Sequence, residues 1–277
     1  IAPGVDREAD DVQLYHSTRV FLTNVRWLQT AFQSYTSLHI MGASDTHVIN
    51  ATMISSGTRG YGILVDGDGY ASSRTHLTNI YTWGYLDGLK VDWSSGLFLD
   101  GGNYTHAYGA GISVAPDTAH RIYAVVASET VDNLRAHEVR AYSNLGHGWE
   151  FAGDGSITEV ALTNSGGSQN GVSSGEQSYI GNGMYVSNPS LDDLSVTGSD
   201  FHSNMVNGLL FVQGMHINVT ANTIFNNSAY EKNGSNGITT TAGASYISLM
   251  GNMIGPGGVT YTACNQGWGV YAASPEL

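Results

Sequence analysis

Apolar and variable residues alternate along this chain in short bursts, and each burst opens on a glycine. The pattern reads Gly62-Ile63-Leu64-Val65, Gly88-Leu89-Lys90-Val91, Gly111-Ile112-Ser113-Val114, Gly148-Trp149-Glu150-Phe151 and Gly183-Met184-Tyr185-Val186. It continues as Gly208-Leu209-Leu210-Phe211, Gly237-Ile238-Thr239-Thr240 and Gly269-Val270-Tyr271-Ala272. Period-two alternation predicts a short strand with one face buried. Eight copies at 23 to 37 residue spacing predict a stacked repeat.

A second strand precedes each burst, as in Leu22-Thr23-Asn24-Val25, Leu77-Thr78-Asn79-Ile80, Leu162-Thr163-Asn164 and Leu249-Met250-Gly251-Asn252. Asparagine recurs where the chain must bend. It tolerates the left-handed backbone conformation, and its amide bonds to nearby backbone groups. On successive coils such amides are expected to bond to one another in a ladder. The unit is therefore strand, asparagine bend, connecting stretch, glycine turn, strand. Helical runs are absent, and 36 glycines disfavour them. The one helix-like stretch, Val131 to Tyr142, also fits a strand.

Coils of this length, with asparagine bends between them, resemble the right-handed parallel β-helix shared by pectate lyases, rhamnogalacturonases, alginate-modifying enzymes and bacteriophage tailspikes. The resemblance runs from about Val20 to Ala273, and the last coil, Ser248 to Gly255 followed by Gln266 to Tyr271, is most similar to tailspike-type polysaccharide depolymerases. It implies an all-β solenoid of about nine to ten coils, forming one domain over residues 1–277 and roughly 45 Å long at ~4.8 Å per rung. It further implies a polysaccharide partner, an extracellular or virion-associated location and homotrimeric assembly. Because the chain opens on Ile1 without an evident amphipathic cap over Ile1 to Asp11, flanking segments or trimer partners are expected to cover the terminal coils.

Composition narrows the function classes. The net charge is −13, and the only lysines are Lys90 and Lys232. That balance argues against nucleic acid, whose phosphates require basic stripes, and against anionic lipid. No run of apolar residues reaches membrane-spanning length. The single cysteine, Cys264, allows no disulfide within the chain and reads as a small buried residue.

Candidate chemistry follows from aligning the bursts on their glycines. Residues one and three positions on should point inward, and those two and four positions on should point outward. The outward positions carry Lys90, Glu150 and Tyr185, and the next outward column carries Asp66 and Asp92 on adjacent coils. Stacked carboxylates repel unless something compensates, so they mark a candidate acid–base pair. Glycoside hydrolysis needs two carboxyl groups, and neighbouring rungs supply suitable separations. Against this, Asp66-Gly67-Asp68-Gly69 is also a strong turn sequence, and as a cation site it would suit a structural or substrate-bridging calcium ion. The EF-hand pattern fails at Tyr70 and Leu77, and no cofactor or metal motif is found.

The longest interval between bursts holds Glu129, Arg135, His137, Glu138, Arg140 and His147, with one extra strand expected over His120 to Val126. Glu138 falls near a bend position that other coils give to asparagine. The bland alternative is that Arg135 and Arg140 pair with Glu138 on a wet surface. Asp200 and His202 flank an inward Phe201. The expected site set is thus Asp66, Asp92, Glu150, Glu138 and Asp200 as acids and bases, with Lys90, Arg135, Arg140, His147, Tyr185 and His202 contacting substrate. Trp27, Trp83, Trp93 and Trp268 offer flat rings for sugars. Gly171-Val172-Ser173-Ser174-Gly175 spells a nucleophile elbow but has no following helix. The reading is a β-helix that binds and hydrolyses a bacterial or other extracellular polysaccharide. A polysaccharide lyase and a non-catalytic receptor-binding or adhesin β-helix are the alternatives.

Overall fold

The computed structural model describes residues 11–29, 36–56, 60–116, 120–122, 125–127, 129–171, 173–174, 177–178, 181–227, 236–255 and 269–273. Cys264, Trp268, Lys232 and residues 1–10, where no cap was evident, lie outside them. The described chain is all strand and turn, wound as a parallel β-helix with three faces.

The glycine bursts build the first face. Its rungs are Val12–Tyr15, Leu38–Met41, Ile63–Asp66, Leu89–Val91, Ile112–Val114, Trp149–Phe151, Met184–Val186, the starts of Leu209–Thr220 and Ile238–Met250, and Val270–Ala272. Every neighbouring pair among them is parallel, and the ten rungs agree with the nine to ten coils expected. The second face begins with Thr18–Thr23 and Ser44–Ile49, and continues through Ser72–Trp83, Ser94–Thr105, Thr130–Tyr142, Ser156–Thr163 and Leu191–Thr197. Several of these strands turn the next corner without a break and supply the third face, which also holds Thr52–Ser55, Gly166–Ser168, Asp200–His202 and Thr223–Phe225.

Why each burst opens on glycine is visible in the stacking. A Cβ on Gly88 would lie 2.7 Å from the carbonyl oxygen of Gly111, one on Gly148 would lie 2.6 Å from that of Gly183, and one on Gly183 would lie 2.6 Å from that of Gly208. The coils approach too closely here for any side chain. Inward residues fill the column: Leu89, Val91, Ile112, Val114, Trp149, Phe151, Met184 and Val186 are fully buried. Burial of each large apolar side chain stabilises the fold by about 1.5–3 kcal/mol.

Corners are held by amides. The bend between second and third faces has a left-handed residue on each coil: Asn24, Asn50, Asn79, Gly101, Glu138, Asn164, Gly198, Ala221 and Gly251. Asn79 Nδ2 donates to Asn50 Oδ1, and Asn50 Nδ2 to Asn24 Oδ1, each at 3.2 Å. Where glycine takes this seat the ladder stops for want of an amide, and a Cβ on Gly101 would sit 2.6 Å from Asn79 Oδ1. In the last coils the seat goes to Ala221 and Gly251, and Asn222 and Asn252, one residue on, form their own rung at 3.0 Å. A buried ladder follows the third face. Asn144 Nδ2 donates to Asn170 Oδ1, Asn170 to Asn204 and Asn204 to Asn227, at 2.9–3.0 Å.

Three expectations need correction. The interval after Gly111 holds two extra strands, the antiparallel hairpin His120–Ile122 with Val125–Ala127, because the chain leaves and rejoins the stack at one corner. A coil starting at Ser37 lacks the glycine signature yet stacks in register, Leu38 on Ile63. Arg135 and Arg140 do not pair with Glu138. Arg135 Nη2 lies 3.7 Å from Glu159 Oε2 and Arg140 meets Asp200, because both arginines project from strands while Glu138 occupies the corner between them.

Candidate active site

The outward column of the first face concentrates charge on three consecutive rungs. Leu64 stacks on Lys90, Lys90 on Ser113, Ser113 on Glu150 and Glu150 on Tyr185. The burst pattern dictates this order, since the second residue after each glycine points out. Lys90 Nζ lies 3.3 Å from Asp92 Oδ1, both side chains being less than one-fifth exposed. The same ammonium reaches Ser113 Oγ at 3.5 Å, and Ser113 Oγ reaches Glu150 Oε2 at 3.5 Å. A line of polar contacts therefore joins Asp92 to Glu150 across two rungs.

Electrostatics divide these groups. Burial pushes the Glu150 carboxyl above the ordinary glutamate range, and Lys90 and the Ser113 hydroxyl oppose it only in part. Burial alone would lower Lys90, but the carboxylates of Asp92 and Asp87 outweigh it and raise the ammonium. Asp87, just before Gly88, is raised to about 6 by burial, although its Oδ1 accepts the Ala110 N–H at 2.7 Å. Burial also raises Tyr61, which precedes Gly62. Lys90 pulls that phenol down, while Asp87 and Asp92 push it up. One ammonium thus stands among three carboxyl groups, and burial raises two of them, Asp87 and Glu150.

Near Glu150, desolvation lowers the half-buried His147 ring to about 4, which favours its neutral form. Its Nδ1 accepts the Asn182 N–H at 3.1 Å, and its ring sits 4.6 Å from that of Tyr185. The hairpin Ser173–Ser174 with Gln177–Ser178 enters the chain before the Tyr185 rung. The hairpin of residues 120–127 enters after the Ser113 rung. Both insertions interrupt the coils that carry the charged cluster.

Of the expected residues, the structure brings Lys90, Asp92, Glu150, His147 and Tyr185 together on the first face. Asp66 is on this face too, but it is 8% exposed and turned away. Its Oδ1 accepts the Gly67 N–H at 2.7 Å, and its Oδ2 lies 3.8 Å from His39 Nε2. Asp68 receives the Tyr15 hydroxyl, so this segment behaves as a pinned turn. Arg135 belongs to the second face, Glu138 to the corner after it, and Arg140, Asp200 and His202 to the third face. There Asp200 lies against both Arg140 and His202, and Phe201 between Asp200 and His202 is fully buried as expected. Asp87 and Tyr61 were missed. Their signal was position, since each directly precedes a burst glycine.

For a cation, one group among the described residues brings three ligand atoms within 4.8 Å: Asp192, Asp193 and His216. His216 Nδ1 and Asp192 Oδ1 already satisfy each other at 2.6 Å.

No protein-family model matches the chain, and no curated protein matches it in sequence. Solved structures are similar in winding. The A-module of the Azotobacter vinelandii mannuronan C-5 epimerase AlgE6 superposes with a TM-score of 0.46 at 13% identity, over 80% of this chain and 68% of that one. The Streptococcus pneumoniae surface protein and adhesin PfbA gives 0.41 at 12%, over 86% and 68%. The Dettilon tailspike protein gives 0.41 at 11%, over 95% of this chain and 61% of that one.

Proposed function

We propose that the first face binds an extracellular polysaccharide and hydrolyses it. Glu150 acts as general acid and Asp92 as general base. The observation that carries this reading is the contrast within one cluster: Asp92 holds the Lys90 ammonium at 3.3 Å, and Glu150, two rungs on, is a carboxyl that burial raises. Neutral Glu150 donates its proton to the glycosidic oxygen as the bond to the anomeric carbon breaks. Asp92 takes a proton from the water that attacks the opposite side. Asp92 and Glu150 are two rungs apart, roughly 9.6 Å, and offset by two residues, roughly 6.6 Å, along the strand, so their side chains must lean together to reach the ~6.5–9.5 Å carboxyl separation that leaves room for that water. Lys90 holds Asp92 in place, and Tyr185 offers a ring face to the sugar beside Glu150. The net charge of −13 favours a neutral glycan over a polyuronate.

The test is reducing-end release from a panel of neutral and acidic polysaccharides. Glu150→Gln and Asp92→Asn should each slow release by about 10²- to 10⁴-fold. Ultraviolet-absorbing unsaturated products would replace hydrolysis by elimination, with Lys90 neutralising a uronate. Binding without either product would leave a receptor-binding or adhesin role.

A further inference from the structure

A second recess lies at the corner that follows the third face. It is a groove of about 450 Å³ lined by Ser56, Trp83, Gly84, His106, Tyr108 and Ser143, with Leu145 at its end. These residues come from four successive coils, because Thr52 pairs with Tyr81, Tyr81 with Asn103 and Asn103 with Arg140. Three rung intervals make the groove roughly 14 Å long, parallel to the stack. Its volume is within the usual range for small-molecule sites, about 300–1,000 Å³.

The walls are specific. The Trp83 and His106 rings are 5.6 Å apart and tilted by 35°. His106 is fixed by a 2.8 Å contact between its Nδ1 and Thr105 Oγ1. Tyr108 is 49% exposed although its backbone is anchored, its N–H donating to the Tyr85 carbonyl at 2.8 Å. Gly84 forms the floor, since a Cβ there would lie 2.2 Å from the Ser55 carbonyl oxygen. Flat apolar rings with hydroxyls at the rim match a pyranose, which has C–H faces and an equatorial belt of hydroxyls. Among the described residues that line the groove there is no lysine, arginine or carboxylate, so none of these would neutralise a uronate.

We infer that this groove is a separate carbohydrate-binding site, which takes neutral pyranose units of an oligosaccharide against Trp83 and Tyr108. The inference rests on the glycan reading of the first face only for the class of ligand. A polysaccharide held here would be anchored at the corner that leads into the first face, leaving its continuation free to cross the Lys90–Glu150 cluster.

Titration of the full chain with cellohexaose and with a linear galacto-oligosaccharide, followed by tryptophan fluorescence and saturation-transfer NMR, tests this. Oligogalacturonate is the acidic comparison. Trp83→Ala and Tyr108→Ser should each weaken neutral-glycan binding about tenfold, equivalent to ~1.4 kcal/mol of lost stacking. Tyr108→Ser alters an exposed side chain, so it decides the matter even where Trp83→Ala fails to fold. Binding that survives Tyr108→Ser and any folded Trp83→Ala overturns the groove and leaves the first face as the glycan site. Stronger binding of oligogalacturonate overturns the neutral assignment. A wild-type chain that binds none of the probes overturns the groove; reducing-end release from the polysaccharide panel then shows whether the first-face reading stands without it.

Discussion

Two ends of one corner column show how this solenoid separates structure from chemistry. On the corner before the first face, Asn236, Asn207 and Asn182 occupy successive seats. Asn236 N–H donates to Asn207 Oδ1 at 2.9 Å, and Asn207 Nδ2 donates to Asn182 Oδ1 at 3.0 Å. Earlier in the stack the same seats belong to His147, Ala110 and Asp87. His147 Nδ1 still accepts from Asn182, and Asp87 Oδ1 still accepts from Ala110, so the backbone is satisfied by groups that titrate. The outward neighbours change in step. They are Leu210 and Thr239 beside the asparagines but Lys90, Ser113 and Glu150 beside the titrating seats. Amides give the same bonds at every pH, and the coils that gather charge have given them up.

The sharpest way to break the comparison is to remove a pure ladder residue. Asn204 Nδ2 donates to the Gly167 carbonyl and to Asn227 Oδ1, and its Oδ1 accepts from the Asn170 backbone and side chain. All of these groups are buried. Asn204→Ala should cost about 4 kcal/mol, because partners stay behind unsatisfied. Thermal unfolding reads this out, and the loss should not change between pH 4 and pH 8. A cost under about 1 kcal/mol would mean that the amide ladders contribute little.

The titrating seats should behave differently, with opposite signs. His147 is lowered from 6.5 to about 4, so its contribution is complete above the unfolded value and is lost as pH falls toward 4. Asp87 is raised from 3.8 to about 6, so its contribution is present below the unfolded value and is lost as pH rises through 6. Each shift corresponds to about 3 kcal/mol. In the parent chain the two slopes oppose each other between about pH 4 and pH 6. His147→Asn should leave the Asp87 slope exposed, so that stability falls as pH rises. Asp87→Asn should expose the His147 slope, so that stability rises with pH and gains about 3 kcal/mol at neutral pH. Unfolding curves across this range check both, and parallel profiles for the two variants would sink the assignment. Asp87→Asn also separates stability from chemistry, since the hydrolysis proposed for Glu150 and Asp92 should survive it.

How much of this was legible follows from periodicity. The glycine bursts could be read because the glycines from Gly62 to Gly208 each meet the carbonyl of the next, which favours glycine at a countable interval. Lys90, Ser113 and Glu150 could be aligned because strands alternate with period two. Corners have no such period. Asp66 stood in line with Asp92 by position, yet its side chain turned to its own Gly67 N–H. Arg135, Glu138 and Arg140 were grouped by closeness in sequence, whereas the corner at Glu138 sends Arg135 and Arg140 to different faces. Asp87 escaped because it precedes the burst, where Asn182, Asn207 and Asn236 read as ordinary turn residues. The coil beginning at Ser37 escaped because serine replaces the glycine.

The smallest expected effect sharpens the comparison at a different corner. Glu138 holds a left-handed seat, φ 54°, in the column that otherwise carries asparagine, glycine and one alanine. Its side chain is 67% exposed, and its Oε1 lies 4.0 Å from His137 Nε2. A left-handed conformation strains a glutamate more than an asparagine, whose short amide bonds locally. Asn164 occupies the same seat one coil on, within reach of a new amide rung like that joining Asn50 to Asn79 at 3.2 Å. Glu138→Asn should therefore stabilise the chain by up to about 1 kcal/mol while leaving polysaccharide hydrolysis unchanged. Loss of hydrolysis in this variant would place Glu138 in the chemistry after all. It would also extend the titrating region to a second corner, and the division between amide-built and charge-built parts of the solenoid would no longer hold.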